Sequence, residues 1–307
     1  MSNCWGIIGG GFSAYGYLPA LVEQTNSKVL MLEKHRSLIQ SRSDTSRYFG
    51  AISFVRDREE IFNNSDSLVL AVPPIVQDDY ITNRLNKNYK YLLIEKPVAQ
   101  NPERAERVLK TAIDFCDSLR IGYIFSNTTW GQNLLKNDAM KPGYQYKISW
   151  RFQAHHYKFN LNNWKSNHES GGGVLRFYGI QLIAFLAKIV QIDVIRSIIT
   201  CNQNNHPYKW SSTLRLNNFI NLEINIDTTS SENCFNISSN DRSFKYSFDR
   251  TGPFEAEKTI ANLDARVQPL KKLIQSFHSD DSAVYKAYYY TNSIWALIEK
   301  ESTWLID

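Results

Sequence analysis

At 307 residues the chain exceeds what one hydrophobic core usually supports, since cores stop growing near about 250–300 residues, so two domains are expected. Its 43% apolar, 21% charged and 13% aromatic residues exclude a disordered tail or a collagen-like repeat. The formal charge of +5, from 35 basic and 30 acidic residues without a block of like sign, offers no nucleic-acid arm and favours small anionic ligands only weakly.

Residues 4–8 are a short apolar run that reads as a strand, the glycines at 9–11 break it, and residues 14–24 carry apolar side chains at helical spacing. Residues 28–33 (KVLMLE) and 67–72 (SLVLAV) read as buried strands, the second closed by Pro73-Pro74. Residues 91–94 (YLLI) make a further strand, and 102–119, opening on a proline and running with period 3.6, predict a helix. Strands alternating with helices imply a doubly wound parallel sheet over residues 1–122. From 123 to 307 the texture shifts to Asn, Ser and Tyr, and the alternating runs 144–152, 212–226 and 243–248 predict antiparallel strands with one wet face. The apolar segment 174–190 predicts a helix covering that sheet, and 282–301 a last helix whose Tyr and Trp side chains pack rather than bind. The fold class expected is α/β, with a C-terminal α+β domain built on a mostly antiparallel sheet.

Cys4, Cys116, Cys201 and Cys234 lie too far apart for a close metal or dithiol pair and read as reduced core thiols, with no metal site expected. The N-terminus lacks a basic-then-apolar leader, and no stretch approaches the roughly 18 apolar residues of a membrane helix, so a cytoplasmic protein without a membrane partner is expected.

The turn Gly9-Gly10-Gly11-Phe12-Ser13-Ala14 fits G-x-G-x-x-G/A, in which small residues let backbone N–H groups reach a pyrophosphate at a helix N-terminus. Its place between strand and helix makes this a Rossmann dinucleotide site, with Gly9, Gly11, Phe12 and Ser13 as contacts. Glu33 stands 22 residues beyond Gly11, at the end of the next strand, where a carboxylate accepts hydrogen bonds from the adenosine ribose. A 2′-phosphate would be repelled there, which favours NAD, yet Lys34, His35 and Arg36 follow and could clamp one, which keeps NADP open. Val72-Pro73-Pro74 and Glu95-Lys96-Pro97 close two strands at their carboxyl ends, where open α/β sheets bind ligands. A lysine placed like Lys96 can hydrogen-bond a substrate hydroxyl and favour its carbonyl form electrostatically.

AVPP at 71–74, EKP at 95–97 and SGGGVL at 170–175 together resemble the glucose–fructose oxidoreductase/inositol dehydrogenase (Gfo/Idh/MocA) family from residue 6 to about residue 181. The resemblance implies an N-terminal Rossmann domain and a C-terminal domain whose open sheet serves substrate contact and homo-oligomer formation. It further implies hydride transfer at a carbon bearing a hydroxyl, on a small-molecule substrate. It gives Lys96 the contact with the substrate hydroxyl, makes Gly122-Tyr123 the way out of the first domain, with Tyr123 at the substrate, and sets Trp164-Lys165 beside the substrate pocket.

The family's usual continuation, G-G-G-x-L-x-D-x-G-x-H, supplies an Asp and a His that position the substrate and exchange its proton. Here Phe177 and Gln181 fall at those positions, and neither side chain is a general acid or base. Both are expected to line the substrate pocket, while the proton work passes to another group. Lys96 leads the candidates, since desolvation lowers a lysine's pKa. Tyr178, one residue past the Asp position and so about 100° around an α-helix, and His156 follow, with Tyr123, His155 and His168 behind them. The reading is an NAD(P)-dependent oxidoreductase acting on a sugar or sugar nucleotide. Its rivals are a catalytically degenerate dinucleotide-binding sensor or scaffold, and a C=N or C=C reductase.

Overall fold

Six short strands, most of them rich in apolar residues, build the first sheet: β1 (Trp5–Ile8), β2 (Val29–Leu32), β3 (Ile52–Val55), β4 (Ser67–Leu70), β5 (Tyr89–Ile94) and β6 (Cys116–Ile121). The computed structural model describes residues 3–136, 143–241, 245–258 and 262–307. All pairings in this sheet are parallel, in the order β3-β2-β1-β4-β5-β6. β1, β2 and β4 are buried throughout their length, as strands covered by helices on both faces must be. The strand order reverses between β1 and β4, which opens a crevice beyond their carboxyl ends.

The helix expected over 102–119 stops at Asp114, and its tail is β6. Apart from Asp117 this strand is buried on both faces, so it lacks the two-residue alternation that separates strand from helix. Pairing with β5, Leu119 beside Leu92 and Ile121 beside Ile94, decides its conformation. Two further helices start differently from the α-helices expected. Residues Ser13–Tyr17 and Val174–Gly179 form π-helical turns before the α-helices Leu18–Thr25 and Ile180–Ala187. Such turns mark functional sites more often than ordinary helix does.

The second sheet runs through β7 (Gln145–Gln153), β8 (Ile192–Cys201), β9 (Pro207–Leu216), β10 (Ile220–Asp227), β11 (Thr229–Ser239), β12 (Lys245–Asp249) and β13 (Ser302–Ile306). Their order is β12-β11-β7-β10-β9-β8-β13, antiparallel except for β7 with β10 and β8 with β13. The run 212–226 is a hairpin rather than one strand. Asn217 and Asn218 adopt φ of 48° and 66° in its turn, which asparagine tolerates better than most residues. The run expected over 243–248 contributes β12, and its residues 243–244 lie outside the described ones.

β9 and β10 alternate buried and wetter residues, and helix Ile180–Ala187, buried from Ile180 to Leu186, lies over the sheet's dry face. The chain then returns to the first domain. Val267, Leu270, Leu273 and Ile274 of helix Val267–Gln275 join Trp5, Ile7, Leu18 and Leu21 in one core, which brings the preceding residues 264–266 over the glycine turn. All four cysteines are free and three are buried. Among the described residues no helix is long and apolar enough to cross a membrane.

Candidate active site

The glycine turn is shaped by contacts that only glycine permits. Gly9 has φ of 143°, and a Cβ there would lie 2.3 Å from the Ala71 carbonyl oxygen, so the ends of β1 and β4 touch. A Cβ on Gly11 would meet nothing within 4 Å, and the hydroxyl of Ser13 just behind is buried without a partner. An open cradle at a helix N-terminus with an unanswered donor fits a dinucleotide diphosphate. Phe12 folds onto Gly16 and against Tyr15 and Tyr17, with the Arg266 guanidinium 4.0 Å from its ring centroid.

A cleft of about 420 Å³ runs from this turn to the second domain. Glu95 and Lys96 form its floor at the end of β5. Gln77, itself buried, donates from one amide nitrogen to the carbonyls of Glu95, Pro97 and Val98 and so fixes the Glu95-Lys96-Pro97 turn, whose Lys96-Pro97 bond is cis. The Tyr17 hydroxyl donates to the Glu95 carboxylate. Burial raises the Glu95 pKa, against the opposing pull of Lys96 and the Tyr17 hydrogen bond. Lys96 Nζ donates to the Phe177 carbonyl at 2.6 Å and lies 3.8 Å from the Phe177 ring centroid. Burial brings its pKa down to about 8, Glu95 holding it up while Arg266 and Lys165 press it lower.

The opposite wall comes from the triple glycine. Gly171 and Gly173 have φ of 87° and 85°, and a Cβ on Gly172 would lie 2.1 Å from the Trp164 carbonyl oxygen. The Trp164-Lys165 backbone therefore presses on the glycines, and the Trp164 ring stands 5.2 Å from Phe177. Arg176 anchors this wall through Glu299, at 2.6 and 2.7 Å, and through the carbonyls of Gln100 and His168, both at 2.7 Å.

Residues 4–122 match a family model described as an oxidoreductase family with an NAD-binding Rossmann fold. Over these residues the chain matches the Gfo/Idh/MocA oxidoreductase family. No curated protein matches it in sequence. A 3-ketoreductase from Actinomadura kijaniata, solved with NADP and TDP-benzene, shares its fold with a TM-score of 0.71 at 11% identity over 100% of both chains. A myo-inositol dehydrogenase from Corynebacterium glutamicum does so at 0.71 and 14% identity, over 98% of this chain and 97% of the other. An oxidoreductase from Thermotoga maritima gives 0.71 at 15% identity with the same coverage.

Against the Gfo/Idh/MocA pattern, the expected residues divide into two groups. Gly9, Gly11, Phe12, Val72, Pro73, Glu95, Lys96, Trp164, Lys165, Phe177, Tyr178 and Gln181 all line the cleft. Tyr178 was expected about 100° away from the pocket-facing position, but both Phe177 and Tyr178, which lie in the π turn, line the cleft. Pro74 opens a helix, and Ser13 lies behind the turn. Glu33, Lys34 and Arg36 stand outside the cleft at the end of β2, where Arg36 grips the Glu33 carboxylate at 2.5 and 2.9 Å. His35 instead packs against Gly10.

Tyr123 faces the core beside Tyr288, and its pKa is raised by burial. His155 and His156 lie in a helical turn after β7. His156 is buried behind Tyr178 with Nε2 unpartnered, and burial, with Lys165 adding, pushes its pKa down to about 4. The His168 ring packs on Trp304. Tyr15, Tyr17, Gln77, Phe254 and Arg266 belong to the site without any sequence motif. Only the apolar spacing from Val267 to Phe277 could have announced the segment carrying Arg266.

Gln181 does not offer its amide to a ligand. Its Oε1 accepts from the Ile124 N–H at 2.9 Å and its Nε2 donates to the Gly122 carbonyl at 2.8 Å, clamping the strand exit. Gln181→Leu strands both buried backbone groups, and the expected loss of stability is about 3 kcal/mol. Urea unfolding measures it, and an unchanged midpoint would show that the amide is no clamp.

Proposed function

We propose that this protein is an NAD(P)-dependent oxidoreductase that moves a hydride to or from a hydroxyl or keto carbon of a sugar or sugar nucleotide, with Lys96 handling the proton. The observation that carries the reading is Lys96 itself, half-buried on the cleft floor between the glycine turn and the second domain, with its pKa near 8. The substrate class is supported by the ketoreductase and inositol dehydrogenase that share the fold.

A nicotinamide dinucleotide at Gly9–Phe12 supplies the hydride chemistry. Lys96 takes the proton from a hydroxyl when neutral and gives one to a keto oxygen when charged. Phe177 holds its Nζ from below, while Trp164, Phe177 and Tyr178 shield the reacting carbon from water. Glu33, exposed and already joined to Arg36, supports NAD as the preferred cofactor. Ile195, Leu305 and Ile306, 49%, 46% and 74% exposed near the β8–β13 edge, support a homo-oligomer built on the second sheet. The rival reading, a dinucleotide sensor without turnover, draws support from the absence of an acid or base at Phe177 and Gln181. A C=N or C=C reductase would use Lys96 in the same way.

Screened against nucleotide sugars and polyols, Lys96→Ala should lose about 10²- to 10⁴-fold in kcat/KM while NADH affinity changes less than about threefold. An unaffected rate would remove Lys96 from the reaction, and the absence of any turnover in the parent protein would favour the sensor. Because Lys96 must be neutral to accept a proton, oxidation should speed up as pH rises through about 8 and reduction should slow down. Fluorescence titration should find NADH bound tighter than NADPH, with Glu33→Ala narrowing the gap; tighter NADPH binding by the parent would contradict the preference.

A further inference from the structure

Among the described residues three cations line the cleft, and they divide between its two ends. Lys96 and Lys165 both stand by Phe177, 3.8 and 5.6 Å from its ring centroid. Arg266 stands by the glycine turn, 4.0 Å from the Phe12 ring and 5.7 Å from that of Tyr15. No sequence motif marks it, and the hydride and proton transfers assigned to the cleft do not use it.

Arg266 reaches this place from late in the chain, with fixed points on either side. Before it, the Pro253 carbonyl accepts from Trp130 Nε1 at 2.8 Å and Phe254 packs 5.5 Å from Phe125, which ties the chain to the second domain. After it, Val267 and Leu270 enter the core of the first domain beside Trp5, Ile7 and Leu18. Asp264 aims the guanidinium: its carboxylate accepts from Nε and from Nη2, both at 2.8 Å, and from the Arg266 backbone N–H at 3.0 Å. Burial works against the charge, but Asp264 and Tyr15 outweigh it. The fork is aimed and not used up. Among the described residues Nη1 donates to no carboxylate or carbonyl, and 34% of the side chain is exposed.

A dinucleotide diphosphate brings negative charge to a glycine turn whose backbone offers only N–H dipoles. Gly11 leaves the space open there, and the buried Ser13 hydroxyl adds a donor without a partner. A guanidinium meets phosphate oxygens with parallel N–H groups and keeps its charge throughout the working pH range. With Nε and one side of Nη2 turned to Asp264, the Nη1 edge is the one left for such a ligand.

We infer that Arg266 is a cofactor-binding residue, its Nη1 edge gripping the diphosphate of the dinucleotide that the glycine turn cradles. This rests on the dinucleotide reading of the cleft and deepens it: the first domain supplies the N–H groups, and the return from the second supplies the formal charge.

The test is calorimetric titration of the full chain with NADH and with ADP-ribose, which keeps the diphosphate and lacks the nicotinamide. Arg266→Met should weaken both by about 10- to 100-fold. Its affinities should also fall less steeply with added salt than the parent's, since salt screens a charge–charge contact and leaves a packing defect alone. Arg266→Gln, which can still hydrogen-bond Asp264, should give the same result where the Met variant does not fold. Unchanged affinities would overturn the inference. So would a loss confined to NADH, which places the side chain at the nicotinamide, or a loss with the parent's salt dependence intact, which makes its role structural. Failure of the parent itself to bind either ligand would overturn the dinucleotide reading, and the inference with it.

Discussion

At the end of β5 two opposite charges, Glu95 and Lys96, are carried side by side into the interior, and the surrounding residues serve to keep them there. No ion pair joins the two. The Tyr17 hydroxyl answers the carboxylate, and the Phe177 carbonyl and ring answer the ammonium. A carboxylate bound directly to Lys96 would hold its pKa high, whereas neutral partners and burial let it fall toward neutrality. Gly122 is part of the same arrangement, since a Cβ there would lie 2.6 Å from the Tyr17 hydroxyl and 2.7 Å from Glu95.

The two domains meet at this pair. Gln77, from the first, sets the turn that carries Lys96. The π turn after the triple glycine, from the second, delivers the Phe177 carbonyl. Gln181 clamps the exit of β6, and Arg176 with Glu299 braces the wall behind. Gln181 is therefore structural and Phe177 packs the cleft and holds Lys96, so under the proposed function the proton work falls on Lys96, whose pKa the fold brings down to about 8.

Much of the first domain was legible because its signals are local. The glycine turn, the proline-closed end of β4 and the Glu95-Lys96-Pro97 turn each sit within a few residues of the strand that positions them. β6 was misread because a strand buried on both faces has no periodicity of its own. The π turns escaped because a change in hydrogen-bond pitch leaves no mark on residue type. Tyr17, Gln77 and Arg266 act across tertiary distances of tens or hundreds of positions in the chain, so no spacing rule could gather them. His156 looked catalytic from its neighbourhood in sequence, yet it lies behind Tyr178 rather than in the cleft.

The account turns on the protonation of one ammonium. NMR titration of the lysine Nζ resonances, with Lys96 assigned by the signal lost in Lys96→Arg, measures it directly. A midpoint near 8 is predicted for Lys96. A midpoint at the ordinary lysine value of 10.5 would contradict the claim that burial beside Glu95 tunes this group for proton transfer.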